Sequence, residues 1–82
     1  MRMPTKKEKN ERIKFQRALG AHIRKVRQSL SLTQEQLAKK SRIYRVNITQ
    51  IESGIMNPSS FVLKKLSDGM KISLSKLLKG FK

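Results

Sequence analysis

The sequence contains no cysteine and no tryptophan, and it has only one histidine and five acidic residues among 82. Without cysteine, the protein cannot form a disulfide or a thiolate metal site, and a reducing cytosol is permitted. A single histidine and scattered acids also lack the clustering that a metal site or an acid–base pair requires. We therefore predict no metal, no cofactor and no catalytic residue, and an enzyme is the least favoured class of function.

Long apolar runs are absent as well. No stretch approaches the roughly 18 consecutive apolar residues that mark a membrane-spanning helix. The N-terminal segment MRMPTKKEKNER is charged, and no apolar core of the signal-peptide type follows it. We expect a cytoplasmic protein of one small domain, with modest stability because a chain this short buries only about 60% of its unfolded surface.

Positive charge is what the sequence has in excess: 20 Lys and Arg against 5 Asp and Glu, a formal net charge of +15. Such a charge repels itself in the isolated protein and is relieved by a polyanion. Nucleic acid is therefore the first candidate partner and an anionic membrane the second. Residues 1–8 carry part of this charge without apolar periodicity and predict a disordered basic arm. Residues 9–82 form the predicted domain.

Apolar spacing and caps predict five helices in that domain. Apolar residues recur at intervals of four, four, three and four residues, which predicts a first helix that ends near Ser29. They are Phe15, Leu19, Ile23, Val26 and Leu30. Farther on, a serine at 59 or 60 opens a fourth helix, and a serine at 73 caps a short fifth. No strand-like alternation persists, so we predict an all-α protein, a compact five-helix bundle.

The segment from Leu32 to Glu52 predicts the second and third helices, joined by a tight turn. Thr33 and Gln36 have the spacing of a capping box, which starts the second helix at the next residue. In the third helix, Ile48 and Ile51 face inward. The outward face then carries side chains suited to base edges or phosphates: Arg45, Val46, Asn47, Thr49 and Gln50.

The order of these helices from Leu19 to Leu78 resembles the Xre family, the helix-turn-helix domain of phage Cro and repressor proteins. The matching elements are the blocks IRKVRQSLSLTQEQLA and ITQIESG, the loop Asn57-Pro58-Ser59 and the closing ISLSKLL. The run LAKKSRIYRVNITQIESG is also similar to the small controller proteins of restriction-modification systems, which bind DNA as dimers. The resemblance implies a lambda repressor-like fold whose third helix, 44–52, enters the major groove of double-stranded DNA.

The resemblance also implies roles for individual residues. Arg27 and Glu52 correspond to a structural ion pair of the family. The base-contacting positions fall on Arg45, Val46, Asn47 and Gln50, with Thr49 nearby. Gln34 corresponds to the family's phosphate contact at the start of the second helix, where the helix dipole favours an anion. The full set predicted to contact phosphate is Thr33, Gln34, Arg42, Tyr44 and Asn57.

Two residues depart from the family pattern. The turn between the two helices usually has glycine where this chain has Arg42, and a left-handed conformation costs a non-glycine residue roughly 1–2 kcal/mol. The cap of the third helix is usually Ser or Thr, whereas Tyr44 cannot cap in the same way. The shape of the turn is therefore left open, and the tyrosine hydroxyl is available to a phosphate.

These observations predict a sequence-specific DNA-binding transcriptional regulator, with a homodimer on an inverted repeat as the expected form. Family behaviour supplies the dimer. Phe61 and Phe81, which we expect to be exposed, are either loose contributors to the core or part of the dimer seam. No small-molecule ligand is expected, because the chain has no room for a separate sensing domain. The main alternative is a protein-interaction module, such as a bridging coactivator or an antitoxin. A membrane or RNA binder is a weaker alternative, because the apolar side of the first helix is committed to the core.

Overall fold

The structure is a computed structural model that describes residues 2–81, so Met1 and Lys82, the outer ends of the predicted arm and domain, lie outside it. The described residues form α1 (Lys6–Ser29), α2 (Gln34–Ser41), α3 (Arg45–Glu52), α4 (Ser60–Gly69) and α5 (Leu74–Leu78). They contain no strand, which confirms the all-α, five-helix prediction. None of these helices is long and apolar enough to cross a membrane.

The first helix begins at Lys6, about three residues earlier than expected, so the disorder predicted for residues 6–8 is wrong. The reason is a cap at Thr5, whose hydroxyl accepts a hydrogen bond from the Glu8 backbone N–H at 3.1 Å. Glu8 also stabilises this end, because a carboxylate in the first turn complements the helix dipole. For residues 2–5, which precede the helix, disorder stays a prediction.

The core lies between the second half of α1 and the other four helices. It is formed by eight buried side chains: Leu19, Ile23, Leu37, Ile48, Ile51, Leu66, Met70 and Leu77. The apolar stripe predicted on α1 is therefore buried only in its middle. Phe15 and Leu30, at its two ends, remain exposed because the bundle is shorter than the helix.

The two phenylalanines proposed for a dimer seam have different environments. Phe61 is exposed, as predicted. Phe81 is half-buried, which corrects the expectation that it is exposed. Its ring centroid lies 5.4 Å from that of Phe15 and 5.5 Å from that of His22, so it belongs to an aromatic cluster between α1 and the C-terminus.

Two small residues allow neighbouring helices to approach closely. A β-carbon at Gly20 of α1 would overlap the carbonyl oxygen of Ile51 in α3. A β-carbon at Gly69 of α4 would crowd Ser41 at the end of α2. Backbone contact at these points places α3 against α1 and α2 against α4, which sets the position of the α2–α3 unit on its scaffold.

The predicted caps hold α2, α4 and α5. Thr33 accepts from the backbone N–H of Gln36 at 3.0 Å, and the Gln36 side chain accepts in return from the backbone N–H of Thr33 at 2.9 Å. Ser59 and Ser73 each accept from the backbone N–H three residues ahead, at 3.1 Å. Tyr44 precedes α3 without a side-chain cap, as its chemistry predicted. The starts of α2, α4 and α5 are therefore determined by local side chains, whereas that of α3 is not.

The turn between α2 and α3 keeps a left-handed residue even though glycine is missing. Arg42 has φ +57° and ψ +43°, and the following residue, Ile43, donates its backbone N–H to the carbonyl of Ala38 at 3.1 Å. The ammonium of Lys65 in α4 donates to the Arg42 carbonyl at 3.0 Å. The turn thus has the usual shape, and the tertiary structure holds an arginine in an unfavourable conformation.

We expect Arg42→Gly to raise the free energy of unfolding by up to about 1.5 kcal/mol. Glycine removes a left-handed penalty of roughly 1–2 kcal/mol and adds roughly 0.5–1 kcal/mol of backbone entropy to be lost on folding. Urea denaturation measures the difference. Lys39→Gly, at an exposed position within α2, is the control and should lower the same quantity by about 0.5–1 kcal/mol. Equal losses in both variants would contradict the strain at Arg42.

Candidate nucleic-acid interface

A buried ion pair connects α1 to the end of α3. Arg27 Nε donates to Glu52 Oε2 at 2.7 Å and Nη2 donates to Oε1 at 2.9 Å, a two-bond geometry that only a guanidinium provides. The side chains are 8% and 3% exposed. Arg27 Nη1 donates a third hydrogen bond, to the carbonyl of Leu32 at 2.7 Å. The structure therefore brings the two residues predicted to pair into direct contact.

The same carboxylate holds α2 through Gln34. The Gln34 amide nitrogen donates to Glu52 Oε1 at 3.1 Å, and its amide oxygen accepts from the Thr49 hydroxyl at 2.9 Å. The sequence predicts that Thr49 faces outward, and the residue is exposed, but its hydroxyl is turned toward Gln34 of α2. Gln34 and Thr49 thus connect the two helices of the motif in addition to any contact with a ligand.

The outer face of α3 presents polar groups without partners inside the protein. Arg45 is exposed, whereas Asn47 and Gln50 are half-buried. Within residues 2–81, the side chains of these three residues make no hydrogen bond, so their donors and acceptors are available to a ligand. Val46 adds an apolar side chain that is 60% exposed on the same face.

A groove of about 580 Å³ lies at the start of α2, beside this face. The backbone N–H groups of Gln34 and Glu35 have no acceptor within the helix, and the positive end of the helix dipole lies there. Arg24 and Arg45 each contribute a guanidinium to its walls and Glu35 contributes a carboxylate, whereas the Arg27 guanidinium at the same place is already paired with Glu52. The electrostatics therefore favour an anionic group in this groove.

The other residues predicted to contact phosphate lie at two places. Arg42 and Tyr44 are exposed in the turn before α3, and the tyrosine is 80% exposed. Asn57 is also exposed, but the structure does not bring it beside the α2 groove. It lines an apolar groove with Phe15 and Pro58, between α1 and the loop after α3.

Sequence inspection missed two arginines that the fold places beside α3. Arg24 lines the α2 groove and also a smaller groove that contains Thr49 and Ser53. Arg17 packs against Gly54, just after α3, where a β-carbon would overlap its backbone. Their spacing of seven residues, two turns of one helix, is the sequence signal that marks them as neighbours on one side of α1.

Comparison with known proteins agrees with this geometry. The family model described as Helix-turn-helix matches residues 23–77. A search of curated protein sequences gave no match. The sequence resemblance to Xre domains is confirmed by the family match and by two solved structures.

The first similar structure is the restriction-modification controller protein C.AhdI from Aeromonas hydrophila. It is 30% identical, with a TM-score of 0.71, and the match covers 74% of this chain and 92% of that one. The second is the clp gene regulator ClgR from C. glutamicum. It is 28% identical, with a TM-score of 0.72, and the match covers 78% of this chain and 83% of that one.

Removing one member of the buried ion pair should strongly destabilise the protein. We expect Arg27→Met to lower the free energy of unfolding by roughly 3–5 kcal/mol, because the Glu52 carboxylate is then buried without its cation. Chemical denaturation followed by circular dichroism measures the loss. Lys64→Met breaks the exposed Lys64–Asp68 pair, whose side chains are 64% and 62% exposed. That control should cost less than about 1 kcal/mol.

The double variant Arg27→Met/Glu52→Met separates burial of a lone charge from loss of the bond. It should recover much of the lost stability, because two apolar side chains of similar volume can replace a buried ion pair. If the double variant is as unstable as the single one, the unpaired carboxylate is not the cause.

Proposed function

This chain belongs to the helix-turn-helix family of the Xre (Cro/C1) type, and we propose that it is a DNA-binding transcription regulator that recognises a specific base sequence. The observation that carries the proposal is the polar face of α3. Its arginine, asparagine and glutamine side chains have no partner in the described protein, while Gln34, Thr49 and Glu52 hold the helix rigidly to α2. A fixed helix with free polar side chains can enter a major groove and contact base edges.

The side chains on α3 suit different bases. The guanidinium of Arg45 matches the two acceptors of guanine, and the amides of Asn47 and Gln50 match the donor and acceptor of adenine. Val46 offers an apolar contact to a thymine methyl group. We assign base recognition to these four residues, with Thr49 positioned between them and α2.

Contacts to phosphate would then orient the domain on the duplex. We assign them to Thr33 and Gln34 at the start of α2 and to Arg42 and Tyr44 in the turn, since these residues flank α3. The net charge of +15 supports this assignment, because release of counterions supplies much of the affinity for DNA. Asn57 contacts phosphate only if the duplex extends past the end of α3.

We further propose that the regulator acts as a homodimer on an inverted repeat. The two copies of α3 would then lie about 34 Å apart, one helical turn of DNA. Ile55 and Phe61 support an apolar seam, because they are 73% and 67% exposed near the end of α3 and the start of α4. Exposed apolar side chains that form one contiguous patch mark a site of protein–protein contact.

Arg45→Ala should relax the selectivity of DNA binding. We expect the loss of about 1–3 kcal/mol of discrimination at one or two base positions of the site, because a guanine loses its paired donors. Selection of bound sequences from random DNA, followed by competition binding, measures the change. Lys25→Ala, which removes an exposed cation about 100° around α1 from Arg24, should leave the selected sequence unchanged.

One result would reject the proposed function and another only the role of Arg45. Wild-type protein that binds all sequences equally would point to the alternative of a protein-interaction module. An Arg45→Ala variant with the wild-type selected sequence would show that α3 does not contact bases through this residue.

The homodimer has its own test. Sedimentation of the complex should show two protein chains on a symmetric site and one chain on a half-site. Phe61→Ser should weaken the two-chain complex while leaving half-site affinity unchanged. A single chain on the full selected site would exclude the dimer but not the regulator.

A further inference from the structure

The first half of α1 extends beyond the bundle. The buried residues of this helix are Leu19, Gly20, Ile23 and Arg27. Arg12 lies seven residues before Leu19, on the same side of the helix, and it is exposed. The buried side of α1 therefore begins at Leu19, and the part of the helix around Arg12 does not pack on the core. Residues 6–22 also precede the part of the chain that the family model matches, residues 23–77.

Three cations lie along one edge of this helix. Lys6, Arg17 and Arg24 are separated by eleven and seven residues, which correspond to about three and two complete turns. All three are exposed. We call this row the α1 edge.

The α1 edge continues the surface of α3. Arg17 packs against Gly54, just after α3, and Gln16 donates from its side chain to the Gly54 carbonyl at 3.3 Å. Arg24 lines one groove with Arg45 and Gln34 and another with Thr49. The two arginines thus lie beside α3, on the side where the start of α2 also lies.

The acids of α1 lie away from this edge. At about 100° per residue, Glu8 and Glu11 are more than a quarter of a turn from the edge. Glu8 is also engaged by Arg2, at 2.9 Å. The cations of the edge therefore keep their charge available to an external anion.

We propose that the α1 edge binds the sugar-phosphate backbone that borders the groove entered by α3. This inference rests on the proposed function, since it needs DNA on α3, and it adds Lys6 and Arg17, which precede the matched residues 23–77. A polyanion is the partner that the charge fits. Because the edge belongs to a capped, continuous helix, its backbone is already ordered, and binding costs less conformational entropy than it would for a disordered arm.

The test compares two variants that each remove three positive charges from α1. Lys6→Gln/Arg17→Gln/Arg24→Gln removes the α1 edge. The control, Lys7→Gln/Lys14→Gln/Lys25→Gln, removes three exposed cations that lie about 100° around α1 from the edge. These three positions are separated by seven and eleven residues, so the charges span the same length of helix. Far-ultraviolet circular dichroism and thermal unfolding verify that both variants keep the helix.

The measurement is the dependence of DNA affinity on salt, on the selected site and on unrelated DNA. Each phosphate neutralised contributes about 0.9 to the slope of log affinity against log salt. The edge variant should lose about 2–3 from the slope on both DNAs and keep the selected sequence. The control variant should lose less than about 1, since it changes only the distant field.

Three outcomes overturn the inference. Equal slopes in the two variants would show that the position of the cations does not matter. A changed two-chain assembly with an unchanged slope would assign the edge to a second copy of the chain. If the edge variant loses binding to anionic phospholipid vesicles but keeps the wild-type salt slope for DNA, the α1 edge would be assigned to a lipid surface. In each case selective DNA binding by α3 would survive, whereas wild-type protein without selectivity would reject the proposed function itself.

Discussion

The ion pair between Arg27 and Glu52 is the interaction on which the rest of the structure depends. It joins α1 to α3 directly, the loop before α2 through the Leu32 carbonyl, and α2 through Gln34. Both charges are nearly buried, so each needs the other, and the polar bonds around them satisfy their remaining atoms. Within residues 2–81, no buried side-chain nitrogen or oxygen lacks a partner. The angle between α2 and α3 is therefore determined by a polar network as much as by the core.

Close contact between backbones makes this network possible. Gly20 lets α1 approach the last turn of α3, where Glu52 lies, and Gly69 lets α4 approach the end of α2. A larger side chain at either position would separate the helices by more than a hydrogen bond tolerates. Packing and polar bonding thus support the same arrangement, in which α2 and the turn flank the polar face of α3.

Much of the fold could be predicted because its signals are local. The capping box of Thr33 and Gln36 and the serine caps of α4 and α5 act over three residues. The early start of α1 has the same kind of signal, since Thr5 and Glu8 have the capping spacing, but the charged segment around them also has the composition of a disordered arm. The candidate site was predictable where a motif placed side chains on one helix face. Contacts within the site were not predictable where the two partners lie far apart in the chain, as in the hydrogen bond from the Thr49 hydroxyl to Gln34.

The sequence by itself determined the helices, their order, the motif and the excess of positive charge, because caps, periodicity and composition act within a few residues or need no geometry. Only the tertiary structure decided which groups are neighbours. It turned the Thr49 hydroxyl toward Gln34 of α2, held Arg42 left-handed through a hydrogen bond from Lys65 to its carbonyl, and placed Arg24 beside the start of α2 and beside α3. The physical reason is that these positions depend on how closely the helices pack, and that distance is set by contacts between residues far apart in the chain.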